Sequence, residues 1–355
     1  MPIAPGYTAL ICPACTENQL WMTEEGLECR RCGHVVPAEA GVHALNPAVG
    51  EVPPVPGASP GQPDAIVRAF FPTEAARASH YRDLDLILGQ VLGRKNLGEV
   101  LEIGASGGAW TEGLSNDPRV RRLYATETSP SALSHLAQIT AGGAALVLDT
   151  GTDGLGIEMA TLDLVVGRGA LAREADPQVL LTNVRRWLKP GGVAVFLEPC
   201  LQGKIWSAFV MDLIRRFEAQ GGPGPSGDEG GGFLGRKPAR NKGLSQLAQM
   251  RLEGAARQVM RGAQGEGMGE DRVFDISALT HLGYEIGYAE CYPIDQPQED
   301  VTPLRRLRNA LDGLLGTEKG ALERYAPVFE ALEETFAALP ETAPVAPNIY
   351  FVFRA

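Results

Sequence analysis

The chain has 355 residues, of which 44% are hydrophobic, and a formal net charge of −11. That is room for one large α/β domain plus a small module, and the acidity argues against general nucleic-acid binding, which depends on neutralising phosphates. A run of about 18 apolar residues is lacking and MPIAPGYTALICPAC has no signal-peptide layout, so a cytoplasmic protein without a membrane span is expected.

In chain order, the first feature is a pair of Cys-x-x-Cys motifs, Cys12/Cys15 and Cys29/Cys32, with 13 residues between them. This spacing places four thiolates tetrahedrally around one zinc, and the intervening TENQLWMTEEGLE suits a short hairpin. A closed four-thiolate site leaves no position for water, so the Zn2+ is expected to be structural. His34, two residues beyond Cys32, is read as a neighbour and not a ligand. Residues 1–50 hold two basic and five acidic side chains, a poor surface for RNA, while docking of a protein partner stays open.

The module is taken as residues 1–45, followed by a linker over 46–63 with six prolines. Residues 64–355 form the main domain. Leu84, Ile87, Leu88, Val91 and Leu92 recur at helical spacing before it begins to alternate. Strands are predicted at 99–104, 122–127, 144–149, 162–167 and 193–199, and helices after the first turn, at 129–139 with Ser129 as N-cap, and at 176–188. Near-continuous apolar strands alternating with helices predict a doubly wound, Rossmann-like parallel sheet. Two inserts interrupt it, at 200–272 and at 300–340, the second helical. The first contains 220–235, where eight of sixteen residues are glycine, and 236–261, with seven basic residues and one acidic. A helix, turn and strand over 275–294 and a closing strand in NIYFVFRA complete a seven-stranded sheet.

The stretch VLEIGASGGAW runs from a strand into a glycine-rich turn. Ser106 stands where a dinucleotide fingerprint has its second glycine. The pattern suits an adenosyl amino acid whose tail lies over the backbone. Glu102 can orient that tail and its ammonium. Glu127, 25 residues later at the next strand end, can accept from both ribose hydroxyls, and Asp149 from the adenine amino group.

VLEIGASGG, YATETSPSAL, LVLDT, LDLVVGRGAL and RRWLKPGGVAVFLEP together resemble the class I S-adenosylmethionine-dependent methyltransferases, over about residues 80–200. The resemblance implies that Glu102, Gly104, Ala105, Ser106 and Gly108 line the methionine part, Glu127 the ribose and Asp149 the adenine side. The N-terminal segment resembles zinc ribbons attached to, or partnered with, methyltransferases.

Much of the rate of methyl transfer comes from positioning the nucleophile. The loop GRGALARE offers no histidine or carboxylate until Glu174, so no catalytic base is named; His80, Tyr81, His135 and His281 are candidates. The expected activity is S-adenosylmethionine-dependent methylation of a small molecule: a natural product, lipid or glycan intermediate. An RNA methyltransferase using the ribbon for recognition and a non-catalytic adaptor are the alternatives.

Overall fold

The computed structural model describes residues 7–46, 74–93, 96–141, 143, 145–219, 244–263, 272–294, 323, 325, 326, 329–332, 334 and 348–355. The glycine-rich segment 220–235, most of the linker and nearly all of the insert 300–340 lie outside them. The chain divides into two compact units. One comprises Met1–Glu198, Ser277–Ile294 and Tyr350–Ala355, the other Pro199–Ile276 and Asp295–Ile349.

In the first unit, β1 (Leu20–Met22) and β2 (Gly26–Cys29) make the short hairpin, and β3 (Val35–Glu39) and β4 (Val42–Asn46) continue it antiparallel. Gly26 has φ +139°, and a Cβ there would lie 2.2 Å from the Val36 carbonyl oxygen, so only glycine lets β2 and β3 close.

A helix, α1 (Glu74–Leu86), runs into a π-helical turn at Ile87–Leu92. The alternating region follows: β5 (Gly98–Ile103), α2 (Ala109–Asn116), β6 (Val120–Glu127), α3 (Pro130–Ile139), β7 (Ala145–Thr150), β8 (Leu162–Arg168), α4 (Ala170–Arg173), α5 (Pro177–Trp187) and β9 (Leu188–Pro199). Two helices of the second unit, α6 (Leu201–Ala219) and α7 (Gln246–Ala263), come next. The chain then returns through α8 (Ile276–Ile286), β10 (Glu290–Ile294) and β11 (Asn348–Arg354).

The strand order is β1-β2-β3-β4-β7-β6-β5-β8-β9-β11-β10. From β7 to β10 this is the doubly wound order 3-2-1-4-5-6, with β11 placed beside β9 and antiparallel to β10. The sheet is therefore Rossmann-like and seven-stranded from β5 to β11. The ribbon strands extend it to eleven, because β4 runs parallel to β7 with Val42 opposite Val147. Ile11 N–H donates to the Gly156 carbonyl (3.0 Å) and Glu158 N–H to that of Ala9 (2.9 Å), closing a second junction around the fully buried Leu10.

Alternation along the strands divides the core. Val100, Leu164, Val166, Val193 and Val195 pack with Leu84 and Ile87 of the α1 region and with Trp110 and Leu114 of α2. Ala125 and Val147 pack with Leu133 and Leu136 of α3. Each such aliphatic side chain contributes roughly 1.5–3 kcal/mol by leaving water.

In the second unit, Val210, Met211 and Ile214 of α6 share a core with Ala248 and Leu252 of α7 and with Tyr325 and Phe329. The basic residues of α7 (Arg251, Arg257, Arg261) are exposed.

Candidate active site

The chain leaves β5 to one side through β6 and β7 and returns to the other at β8, so the sheet's switch point lies between β5 and β8. Open α/β sheets bind ligands outside the carboxyl ends of the strands at such a point. The β5–α2 turn fills this position. Gly104, Ser106 and Gly108 all take left-handed backbone, with φ of 68°, 52° and 75°. For the non-glycine Ser106 this costs roughly 1–2 kcal/mol. The conformation is held by Ser106 N–H donating to Glu127 Oε2 (2.8 Å) and Ser106 Oγ donating to the Gly104 carbonyl (3.1 Å).

The glycines differ in what requires them. A Cβ on Gly108 would lie 2.4 Å from Ile139 Cδ1 and 2.9 Å from Leu136 Cδ2, so its absence lets α2 start against α3. Ala105 packs into that same α3 cluster. A Cβ on Gly104 would meet Arg173 Nη2 at 2.4 Å.

Three carboxylates stand at successive strand ends. Glu102 is buried on the α2 face and accepts from Thr111 Oγ1 (2.7 Å). Burial, with Glu127 adding repulsion, pushes its carboxyl up from 4.5 to about 8. Glu127 is half-buried; its Oε1 accepts from the backbone N–H of Thr128 (2.8 Å) and Ser129 (3.1 Å). Asp149 lies opposite Glu127 in the β6–β7 register, and its carboxyl is raised by burial and by the Glu127 charge. Ser129 does occupy the N-cap of α3, but its hydroxyl faces Ser131 Oγ (3.2 Å) and makes no cap bond.

Two residues absent from the sequence reading complete this end of the sheet. Glu198, fully buried at the end of β9, accepts from the backbone N–H of Leu171 (2.9 Å) and Ala172 (3.1 Å), so a carboxylate fixes the turn of α4. Burial raises its carboxyl to about 8. Arg173 closes α4, and its Nη2 donates to the Arg168 carbonyl (3.0 Å). A signal for Glu198 was present in FLEP, an acidic residue at the carboxyl end of a buried parallel strand. Arg173 had none, because its proximity to Gly104 depends on how α4 turns.

Of the base candidates, Tyr81 on α1 donates its hydroxyl to Glu112 of α2. His80 belongs to α1, its side chain outside the described set; His135 is buried on α3, and His281 is exposed on α8.

The four cysteines converge. The sulfurs of Cys12, Cys15, Cys29 and Cys32 all lie within 4.8 Å of one another, with Cys12–Cys32 at 3.8 Å and Cys15–Cys29 at 3.6 Å. A tetrahedron with metal–sulfur bonds of ~2.3 Å has edges of about 3.8 Å, so the cluster fits one metal ion. Both knuckles are built alike. Thr16 N–H donates to the Cys12 carbonyl (2.9 Å) and Gly33 N–H to that of Cys29 (2.8 Å), each donor with left-handed φ (61° and 74°). His34 is exposed and outside the cluster.

Residues 101–196 match the family described as a methyltransferase domain. The matched segment runs from β5 to β9 of the doubly wound, Rossmann-like sheet. No curated protein sequence matches it. Among solved structures it is similar to phosphoethanolamine N-methyltransferase 2 of Haemonchus contortus in complex with S-adenosyl-L-methionine, at 12% identity and a TM-score of 0.43, over 79% of this chain and 57% of that one. It is also similar to the cyclopropane synthase MmaA2 of Mycobacterium tuberculosis (15% identity, TM-score 0.44, 78% of this chain and 84% of that one). A third similarity is to a complex of the Haloferax volcanii Trm112 methyltransferase activator (14% identity, TM-score 0.43, 84% and 99%). Among the described residues, no helix is long and apolar enough to cross a membrane.

Proposed function

We propose that the chain transfers the methyl group of S-adenosylmethionine to a small-molecule acceptor, a natural product, lipid or glycan intermediate. The observation that carries this reading is Glu127. Its carboxylate is tied to the turn by Ser106 N–H and to its own strand end by Thr128 and Ser129 N–H. Each carboxylate oxygen has two acceptor directions; Oε1 uses both of its own and Oε2 one, so Oε2 keeps a direction for a ribose hydroxyl.

Bound S-adenosylmethionine supplies a methyl group already activated by the sulfonium charge. Gly104, Ala105, Ser106 and Gly108 give the methionine tail a backbone floor. Glu102 beneath it offers a carboxyl oxygen as acceptor to the tail's ammonium, and Asp149 takes the adenine side. The work left to the chain is orientation of the acceptor. The net charge of −11 supports a small acceptor over RNA. In this reading Cys12, Cys15, Cys29 and Cys32 hold a structural Zn2+.

Titration calorimetry with S-adenosylmethionine tests the cofactor assignment. Glu127→Ala should weaken binding by at least about tenfold, the loss of one to two hydrogen bonds to a charged group. Unchanged affinity in the variant, or occupation of the crevice by a nucleotide diphosphate instead, would overturn it.

A further inference from the structure

We infer that Arg173 receives the α-carboxylate of the cofactor's methionyl tail, and that Glu198 is the positioning residue that sets it there. This rests on the S-adenosylmethionine reading above and assigns the one part of that ligand which the acidic strand ends cannot hold.

The argument begins with charge. Glu102, Glu127 and Asp149 stand at the ends of neighbouring strands. Their oxygens suit an ammonium and hydroxyls, and the Glu127 charge repels a carboxylate. A zwitterionic tail laid over the β5–α2 turn therefore needs a cation at that turn. Arg173 is there: its Nη2 would lie 2.4 Å from a Cβ on Gly104, and its Nη1 3.4 Å from a Cβ on Gly169. The guanidinium thus lies over the first glycine of the turn, and the side chain is exposed. One of its five N–H donors goes to the Arg168 carbonyl at 3.0 Å. That bond holds the planar head by its rim and leaves the fork geometry suited to bidentate contact with a carboxylate.

The support beneath it is built in the same sense. Gly169 takes φ +60° to start α4, and Glu198 accepts two consecutive N–H groups from the following residues. A wholly buried carboxyl group is an expensive way to cap the start of one helical turn. Its consequence is that the backbone leading into Arg173, one residue beyond the second of those N–H groups, is fixed beside the turn. Were Arg173 only a staple over Gly104, its removal would affect stability without distinguishing between ligands.

The test compares S-adenosylmethionine with decarboxylated S-adenosylmethionine, which differ at this one group. Binding of each to the full-length protein and to Arg173→Ala and Arg173→Lys is measured by calorimetry, with thermal melting as the check on folding. The wild-type protein should prefer the carboxylated ligand by about ten- to a hundredfold, as for a charge-assisted contact. Arg173→Ala should bring the ratio close to one, and Arg173→Lys should keep part of it, having the charge but not the fork. Glu198→Gln should reduce the ratio less than Arg173→Ala does. An unaltered ratio in Arg173→Ala, or no preference in the wild-type protein, overturns the inference while leaving the cofactor assignment standing. Should Arg173→Ala not fold, the wild-type and Arg173→Lys ratios decide. Failure of the wild-type protein to bind either ligand overturns the cofactor assignment, and the inference with it.

Discussion

The thiol cluster and the crevice at the sheet's carboxyl edge are both built by converging side chains, but over different distances along the chain. Cys12 to Cys32 span 21 residues, and each half of the cluster is made by one tight knuckle. The crevice takes Glu102, Glu127, Asp149, Arg173 and Glu198 from five separate segments, and only the parallel pairing of β5 to β9 brings them together. The first is encoded locally; the second is encoded globally and is stabilised by the core beneath it. The two are joined, because β4 of the ribbon pairs with β7, whose far end carries Asp149.

That junction sets the largest expected effect. Replacing Cys12 and Cys15 by serine should abolish zinc in elemental analysis of protein purified without chelator. Structural zinc sites supply folding energy outright, on the order of 10 kcal/mol in small modules. Because Leu10 and β4 are part of the sheet's hydrogen bonding, unfolding of the whole first unit should shift to lower denaturant. Two separate transitions, with the main one unmoved, would show that ribbon and sheet are energetically independent.

The next effect belongs to the crevice alone. Glu102 and Glu198 are carboxyls raised from 4.5 to about 8 by burial. Between those values the folded state holds protons that the unfolded state has released. Their stabilising contribution is therefore present below pH 4.5 and is lost as pH rises through about 8. Each group adds a slope of at most about 1.4 kcal/mol per pH unit. Denaturant unfolding from pH 5 to 8.5 should show this decline, and Glu198→Gln should flatten it. A slope left unchanged by Glu198→Gln would mean that Glu198 is already ionised in the folded state over this window.

Two smaller effects separate packing from conformation within the turn. Gly108→Ala must place a methyl 2.4 Å from Ile139 Cδ1 at φ +75°, and should destabilise by about 2 kcal/mol in chemical denaturation, the scale of overpacking added to left-handed strain. Ser106→Gly relieves a left-handed serine at the loss of its bond to the Gly104 carbonyl. It should stabilise by no more than about 1 kcal/mol; a loss of stability would mean that the hydroxyl bond outweighs the strain.

The turn, the three strand-end carboxylates and the four thiols were legible because each is marked by a residue type at a position the chain's periodicity already defines. Arg173 was not, and for Glu198 only its place at a strand end was, not its partners. Nothing about a strand-end glutamate says that it will accept from the backbone that follows the neighbouring strand β8, or that this segment will then carry an arginine over a glycine 69 positions earlier. Gly108 was read as part of a cofactor floor, whereas its missing side chain also makes room for Ile139 and Leu136.

By itself, then, the order of residues determined the period of each strand and helix, the spacing of the thiols and the sites of sharp turning, because these follow from interactions within a few residues. Tertiary structure alone decided that the ribbon would lend its last strand to the sheet, and which charges would meet at the sheet's edge. Backbone hydrogen-bonding groups at an open edge are the same for every sequence, and what pairs with them depends on which apolar faces are buried together.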